Sequence, residues 1–269
     1  MVHDIATDDG TEDNYQADDD EHARVSRVRV EESVSGDEGR GAQLAATAGV
    51  TRWLTVHDEL LRGVAHALSN RLGTLAALTG ILEAGIMPDA RLVGGLSDDG
   101  VQLERLLQVL RQLPRGDSAI EPMLLGDAVD MARHLVAEHP AFRGRGTDGV
   151  REVLVRLEGD VVPVRADPTA VAHATVVALL AAARSHEGPV QVTLETIGDV
   201  VRLLAHGSGN AVEEDGALHL AEHAVEDHMA ADRAAVAWLL NGSAGLAIHE
   251  GDALGFTLPT LAATRRPRT

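Results

Sequence analysis

The residue pattern predicts an α+β protein: a helical hairpin followed by an α/β sandwich, with helices on one face of a mixed sheet. Three observations carry this. Leu54, Leu61, Leu68, Leu75 and Leu82 recur every seven residues, the spacing of a helix face. Beyond residue 120, short runs that alternate apolar and polar residues are interleaved with continuous apolar ones. Aromatic residues make up only 2% of the chain, so its cores must be built from Leu, Val, Ala and Ile, which suits bundles and small helix-on-sheet layers.

Residues 1 to 48 carry 13 acidic side chains and four Arg, with a small Val patch at Val25, Val28 and Val30, and read as a solvated, disordered tail. A helix of about nine turns is expected from Thr51, its leucine stripe widened by Leu60, Val64, Leu72, Leu78 and Ile81. The chain then breaks at Gly85 to Pro88 and passes a loop through Gly94, Gly95 and Gly100. A second stripe, Val101, Leu103, Leu106, Leu107, Leu110 and Leu113, ends at Pro114. Asp98 and Asp99 read as acidic residues at the start of that second helix, where they complement its dipole. A lone hairpin cannot cover so wide a stripe, so two copies are expected to pair into a dimeric four-helix bundle.

Leu124 to His139 reads as a helix, Val150 to Leu157 as a strand and Val161 to Val164 as a short extended piece. Asp167 followed by Pro168 offers an N-cap and a first helical position for an apolar helix reaching about His186. Val190 to Ile197 and Val200 to Ala205 form a hairpin at Gly198-Asp199. A helix near Ala230 to Leu240 and a strand pair, Gly245 to His249 and Gly255 to Leu258, close the sandwich. The organisation is therefore 1–48 tail, 49–118 hairpin and 119–269 sandwich.

Composition narrows the function. The formal net charge is -19, every basic residue is Arg, and only Arg265, Arg266 and Arg268 cluster, so no nucleic-acid partner is expected. With no Cys, disulfides and thiolate chemistry are excluded. The longest uncharged run, Pro168 to Ala183, is too short to cross a bilayer, and the expected setting is cytoplasmic with no membrane partner.

Ala65-His66-Ala67-Leu68-Ser69-Asn70-Arg71-Leu72 resembles the phosphoacceptor box of dimeric two-component histidine kinases, in which His is followed by x-x-x-N-x-L. The order of Val164-Arg165-Ala166-Asp167-Pro168, a long helix, a hairpin, a glycine turn, a helix and Gly255-Phe256-Thr257-Leu258-Pro259 resembles those kinases' Bergerat-type ATP-binding sandwich. The resemblance covers residues 51 to 260. It implies that His66 is the phosphoacceptor and that the hairpin dimerises. Helix geometry agrees: His66 lies five positions past Leu61, about 140° around, and so should face outward. Arg62 could supply charge and Asn70 a hydrogen bond to phosphoryl oxygens, while Gly63, Ser69 and Gly73 would border an open docking surface for a partner.

The departures from the family redirect the reading. The kinases carry two Asn, four apart, for phosphates and magnesium; Val177 and Ala181 stand at those positions. Ala205-His206-Gly207-Ser208-Gly209 lacks the adenine-reading Asp before its first Gly, and Ala67 replaces the usual acid after the acceptor. Between Ala205 and Asp232 lie seven carboxylates and no Arg, a field that repels a triphosphate. The chain thus resembles kinase-derived histidine phosphotransferases of phosphorelays. His66 would pass a phosphoryl group between the aspartates of response-regulator receiver domains, with no cofactor of its own and Mg²⁺ on the partner receiver. A non-enzymatic scaffold and an active kinase or phosphatase are the alternatives. His219 and His223, four apart near Glu222, Glu226 and His228, are the best metal pair, yet no H-E-x-x-H arrangement exists, a solvated acidic helix explains them better, and no metal is expected. His173, on its apolar helix, reads as a core or interface residue.

Overall fold

The computed structural model describes residues 16–85, 89–113, 119–143, 150–209 and 218–264. The chain divides into two compact units, Met1–Ala45 and Ala46–Thr269. The first is helical from Gln16, because helix α1 spans Gln16–Glu83 and does not wait until Thr51. Glu, Arg and Ala, frequent between residues 16 and 48, form helix readily whether or not an apolar face accompanies them.

In the second unit α1 ends at Gly85, whose φ of +72° is the left-handed conformation in which Gly commonly stops a helix. Pro88 and Pro114 lie outside the described residues. Helix α2 spans Ala90–Gln112, so the loop expected through Gly94, Gly95 and Gly100 is helical. Each Gly costs a helix about 1 kcal/mol relative to Ala, but a half-buried ion pair anchors this stretch. Asp99 is buried at 4% exposure and bonded to Arg71 of α1. Asp98 and Asp99 therefore sit inside α2 and not at its N-terminus.

Strand β1 (Glu121–Met123) pairs antiparallel with β3 (Val164–Ala166). The main sheet holds β2 (Val153–Glu158), β4 (Val190–Ile197), β5 (Val200–Gly207), β6 (Leu246–Glu250) and β7 (Ala253–Pro259) in the order β2-β4-β5-β7-β6. Only β2 and β4 are parallel; the other pairs are antiparallel. The β4–β5 hairpin turns at Gly198 with φ +59°, as its Gly-Asp pair predicts. Val190, Val192 and Leu194 of β4 and Val201, Leu203 and Ala205 of β5 point to the buried face.

Helices α3 (Leu125–Val136), α4 (Pro168–Ser185) and α5 (Leu218–Leu240) lie side by side, with α4 and α5 against the sheet. Asp167 caps α4 as expected, its Oδ1 accepting from the Thr169 and Ala170 amides at 2.9 and 3.1 Å. A short helix, α6 (Leu261–Thr264), follows β7.

Every α4 side chain from Ala170 to Ala183 is buried. A helix in a two-layer sandwich leaves one face open, so something must cover the outer side of α4. That cover is the hairpin. The ring of Trp53 on α1 stacks on His173 with centroids 4.5 Å apart and planes 26° apart. His173 Nε2 bonds the Gln112 carbonyl oxygen of α2 at 3.1 Å, which makes His173 the interface residue its sequence context suggested. Hairpin, helical layer and sheet thus form three layers around one core. No helix among the described residues is long and apolar enough to cross a membrane.

Candidate phosphoacceptor site

Helix α1 presents two heptad lines, one residue out of step. Trp53, Leu60 and Ala67, with Val56 and Val64 between them, are 5% exposed or less and face the rest of the chain. The leucine line predicted as a bundle seam is the other one. Within this chain Leu54 is 58% exposed, Leu61 36% and Leu82 55%, and of that line only Leu68 packs against the core. Adjacent residues on a helix differ by about 100°, and a stripe of leucines does not reveal which of two neighbouring lines meets the chain's own core.

Beside the buried line runs a polar one: Arg52, Glu59, Gly63, His66 and Asn70, spaced by sevens and fours, share a face. Arg52 Nε donates to Asp232 Oδ1 of α5 at 2.6 Å, and Arg184 of α4 bonds the second oxygen. Asp232 belongs to the acidic stretch that looked unneutralised in sequence; two Arg from other elements neutralise it. Glu213, Glu214 and Asp215 lie outside the described residues, as do the side chains of Glu222 and Glu226.

Two turns further on, at Glu59, α1 meets His139, which is buried just past the end of α3. Its Nδ1 accepts from the Ala141 amide at 3.1 Å, which leaves the ring proton on Nε2, 3.3 Å from Glu59 Oε2. That hydrogen bond is the main reason the Glu59 carboxyl is held below its ordinary 4.5. Partial burial opposes the shift, and the electrostatic attraction of His139, Arg52 and Arg184 adds to it.

Gly63 does not leave the open space expected of it. A Cβ there would stand 2.5 Å from the Glu138 carbonyl oxygen, so the glycine is what lets the end of α3 touch α1. Gly73 does have open space, and Ser69 is exposed.

His66 follows Gly63 by three residues and is exposed, as the helical angle required. Asn70 brings its amide nitrogen to 3.3 Å from His66 Nε2. An amide N–H donating there leaves the lone pair on Nε2 and the proton on Nδ1, the tautomer whose Nε2 is nucleophilic. Thr74 donates its hydroxyl to the Asn70 carbonyl oxygen at 3.2 Å. Arg62 is exposed and paired with Asp58 at 2.5 Å. Such a solvated pair contributes little, so its guanidinium can exchange partners at small cost.

The positions that would serve a nucleotide differ in kind. Val177 is 0% and Ala181 3% exposed, packed in the core and offering no oxygen or nitrogen ligand. His206 is the last residue of β5 but one, and just beyond the strand Ser208 bonds the Pro189 carbonyl oxygen through both its amide and its hydroxyl, at 3.0 and 2.7 Å. No group of three His, Asp or Glu among the described residues converges on a possible metal position. The side chains of His219 and His223 lie outside that description.

The sequence pattern singled out His66, Asn70 and Arg62 but not Glu59, His139 or the contact role of Gly63. Their signal was available only as the second heptad line through Trp53 and Leu60.

No protein-family model matches this chain. No curated protein matches it either. Several solved structures are similar in arrangement. The histidine kinase AdeS of Acinetobacter baumannii has 18% identity over 72% of this chain and 95% of that one, with a TM-score of 0.34. A bacterial phosphotransferase has 15% identity over 76% and 95%, with a TM-score of 0.42. The histidine kinase ThkA in complex with the response regulator TrrA has 15% identity over 79% of this chain and 64% of that one, with a TM-score of 0.36. At these values the likeness carries no argument about function.

Proposed function

We infer that the protein is a histidine phosphotransferase that carries a phosphoryl group between receiver-domain aspartates on His66 and does so without ATP. The observation behind this is the pairing of an exposed His66, its Nε2 addressed by Asn70, with a sandwich whose α4 is sealed and stripped of phosphate ligands. The Nε2 lone pair attacks the phosphorus of an aspartyl phosphate. The N–P bond forms as the P–O bond to the aspartate breaks, and the carboxylate leaves on the partner. Asn70 is placed to turn its amide from Nε2 to a phosphoryl oxygen, and Arg62 to offset the charge. The receiver supplies Mg²⁺. Transfer to a second receiver runs the same step backwards.

The exposed line through Leu54, Leu61 and Leu82 is the face that a second copy would cover to complete a four-helix bundle. That makes the working form a homodimer.

The test is transfer of label from a phosphorylated receiver to the full chain. Wild type should acquire acid-labile phosphate that His66→Gln does not, and ATP should neither bind by calorimetry nor label the protein. Label retained by His66→Gln, or a tight ATP complex, would overturn the reading.

A further inference from the structure

We propose that the turn at the end of α3, residues 138–143, is the second wall of the acceptor site, and that a receiver docking on His66 must rest on it. The inference builds on the reading of His66 as acceptor. It starts from Gly63, whose absent side chain lets α1 lie against the Glu138 carbonyl. Side chains three apart on a helix have Cβ atoms roughly 5–6 Å apart, so the His66 Cβ stands within about 9 Å of the Glu138 oxygen. Even a small transient interface covers roughly 500 Å² on each partner, a disc of about 13 Å radius. A domain that brings an aspartate to His66 therefore overlaps this turn.

The turn is built to hold still. Phe142 is fully buried, and the Phe142 and Arg143 amides both bond the His139 carbonyl oxygen, at 2.9 and 3.1 Å. His139 is fixed to α1 through Glu59. What the turn shows to solvent is Pro140 and the guanidinium of Arg143, which bonds Glu138. Arg143 is an exposed cation on that turn, and although Glu138 shares its charge, it suits a partner that arrives carrying an anionic phosphoryl group. In a chain of net charge -19 its removal should be felt locally.

The full-length protein and its variants are loaded at His66 with phosphoramidate, a small donor that needs no docking. Discharge is then timed against increasing concentrations of one receiver domain, the one from the source organism's own set that discharges wild type fastest. Arg143→Glu should raise KM about five-fold or more. Arg156→Glu, the same charge change at an exposed position on β2, should leave it within about two-fold, because distant rim charges act weakly through solvent. Pro140→Glu adds a carboxylate to the turn without touching the Arg143–Glu138 pair and should follow Arg143→Glu. Equal shifts in Arg143→Glu and Arg156→Glu, or a wild-type KM in both turn variants, would overturn the proposal. Failure of loaded wild type to discharge to any receiver would instead overturn the phosphotransfer reading itself.

Discussion

Helix α1 is one continuous element living in two environments. From Gly49 to Ala67 one face of it is buried under the sandwich helices, with Trp53 on His173, Glu59 on His139 and Gly63 on Glu138. From His66 to Glu83 hardly a side chain is buried, and Leu72 and Leu82 are more than half exposed. The composition hardly differs between the halves, since both carry leucines at heptad spacing. Small and polar residues make the difference. In the upper half Gly49 and Gly63 remove side chains where another backbone approaches, and Arg52 and Glu59 supply matched charges. In the lower half Gly73 and Gly80 face open space. His66 falls at the junction, within a turn of a rigid contact on one side and of an uncovered face on the other. A side chain placed there is held firmly and remains reachable.

The contrast is broken most directly by trimming one leucine from each half. Leu60 is 1% exposed, and Leu60→Ala should lower stability by about 2–5 kcal/mol, the usual cost of a core cavity. Leu72 is 57% exposed, and in a single chain Leu72→Ala should change stability by less than about 0.5 kcal/mol. Denaturant melts at two protein concentrations check both. A Leu72→Ala loss that grows with protein concentration would show a second copy seated on the lower half, as the proposed dimer requires.

The glycines give a smaller effect of opposite signs. Gly63→Ala forces a methyl group to 2.5 Å from the Glu138 oxygen, and the resulting overpacking should cost about 1–3 kcal/mol. Gly73→Ala meets nothing and should stabilise by about 0.5–1 kcal/mol through helix propensity. Thermal melts separate the two. A Gly63→Ala protein as stable as wild type would mean that α1 does not press on the end of α3.

These halves also mark how far the sequence could be read. Period and capping located nearly every regular element, because a helix stripe, an Asp-Pro start and a Gly-Asp hairpin are local signals. The stretch from His66 to Asn70 was legible for the same reason: the two residues are one turn apart in the chain. Gly94, Gly95 and Gly100 misled, since propensity alone cannot see Asp99 paired with Arg71 on another helix. Gly63 misled in the reverse sense, because an absent side chain looks the same whether it faces solvent or a carbonyl. The Glu59–His139 pair joins residues 80 apart, and Asp232 takes its two Arg from positions 52 and 184. Pairings of that range leave no periodic trace.

The subtlest prediction concerns that Glu59–His139 pair. The Glu59 carboxyl is held below its ordinary 4.5 in the folded protein, so folding favours its charged form. A group with a depressed folded value contributes its stability above the unfolded value and loses it as pH falls through the folded one. Wild type should thus exceed Glu59→Gln in stability at neutral pH, and the gap should narrow once pH drops below about 4.5. The groups facing this carboxyl are His139, Arg52 and Arg184, of which the two Arg stay charged throughout. His139 uses Nδ1 to accept the Ala141 amide. Melting curves of both proteins between pH 3 and 7 read the gap directly. A gap independent of pH would mean that Glu59 acts by shape alone, whereas one that narrows on the acid side ties the anchoring of the α3 turn, one helical turn from His66, to a charged hydrogen bond.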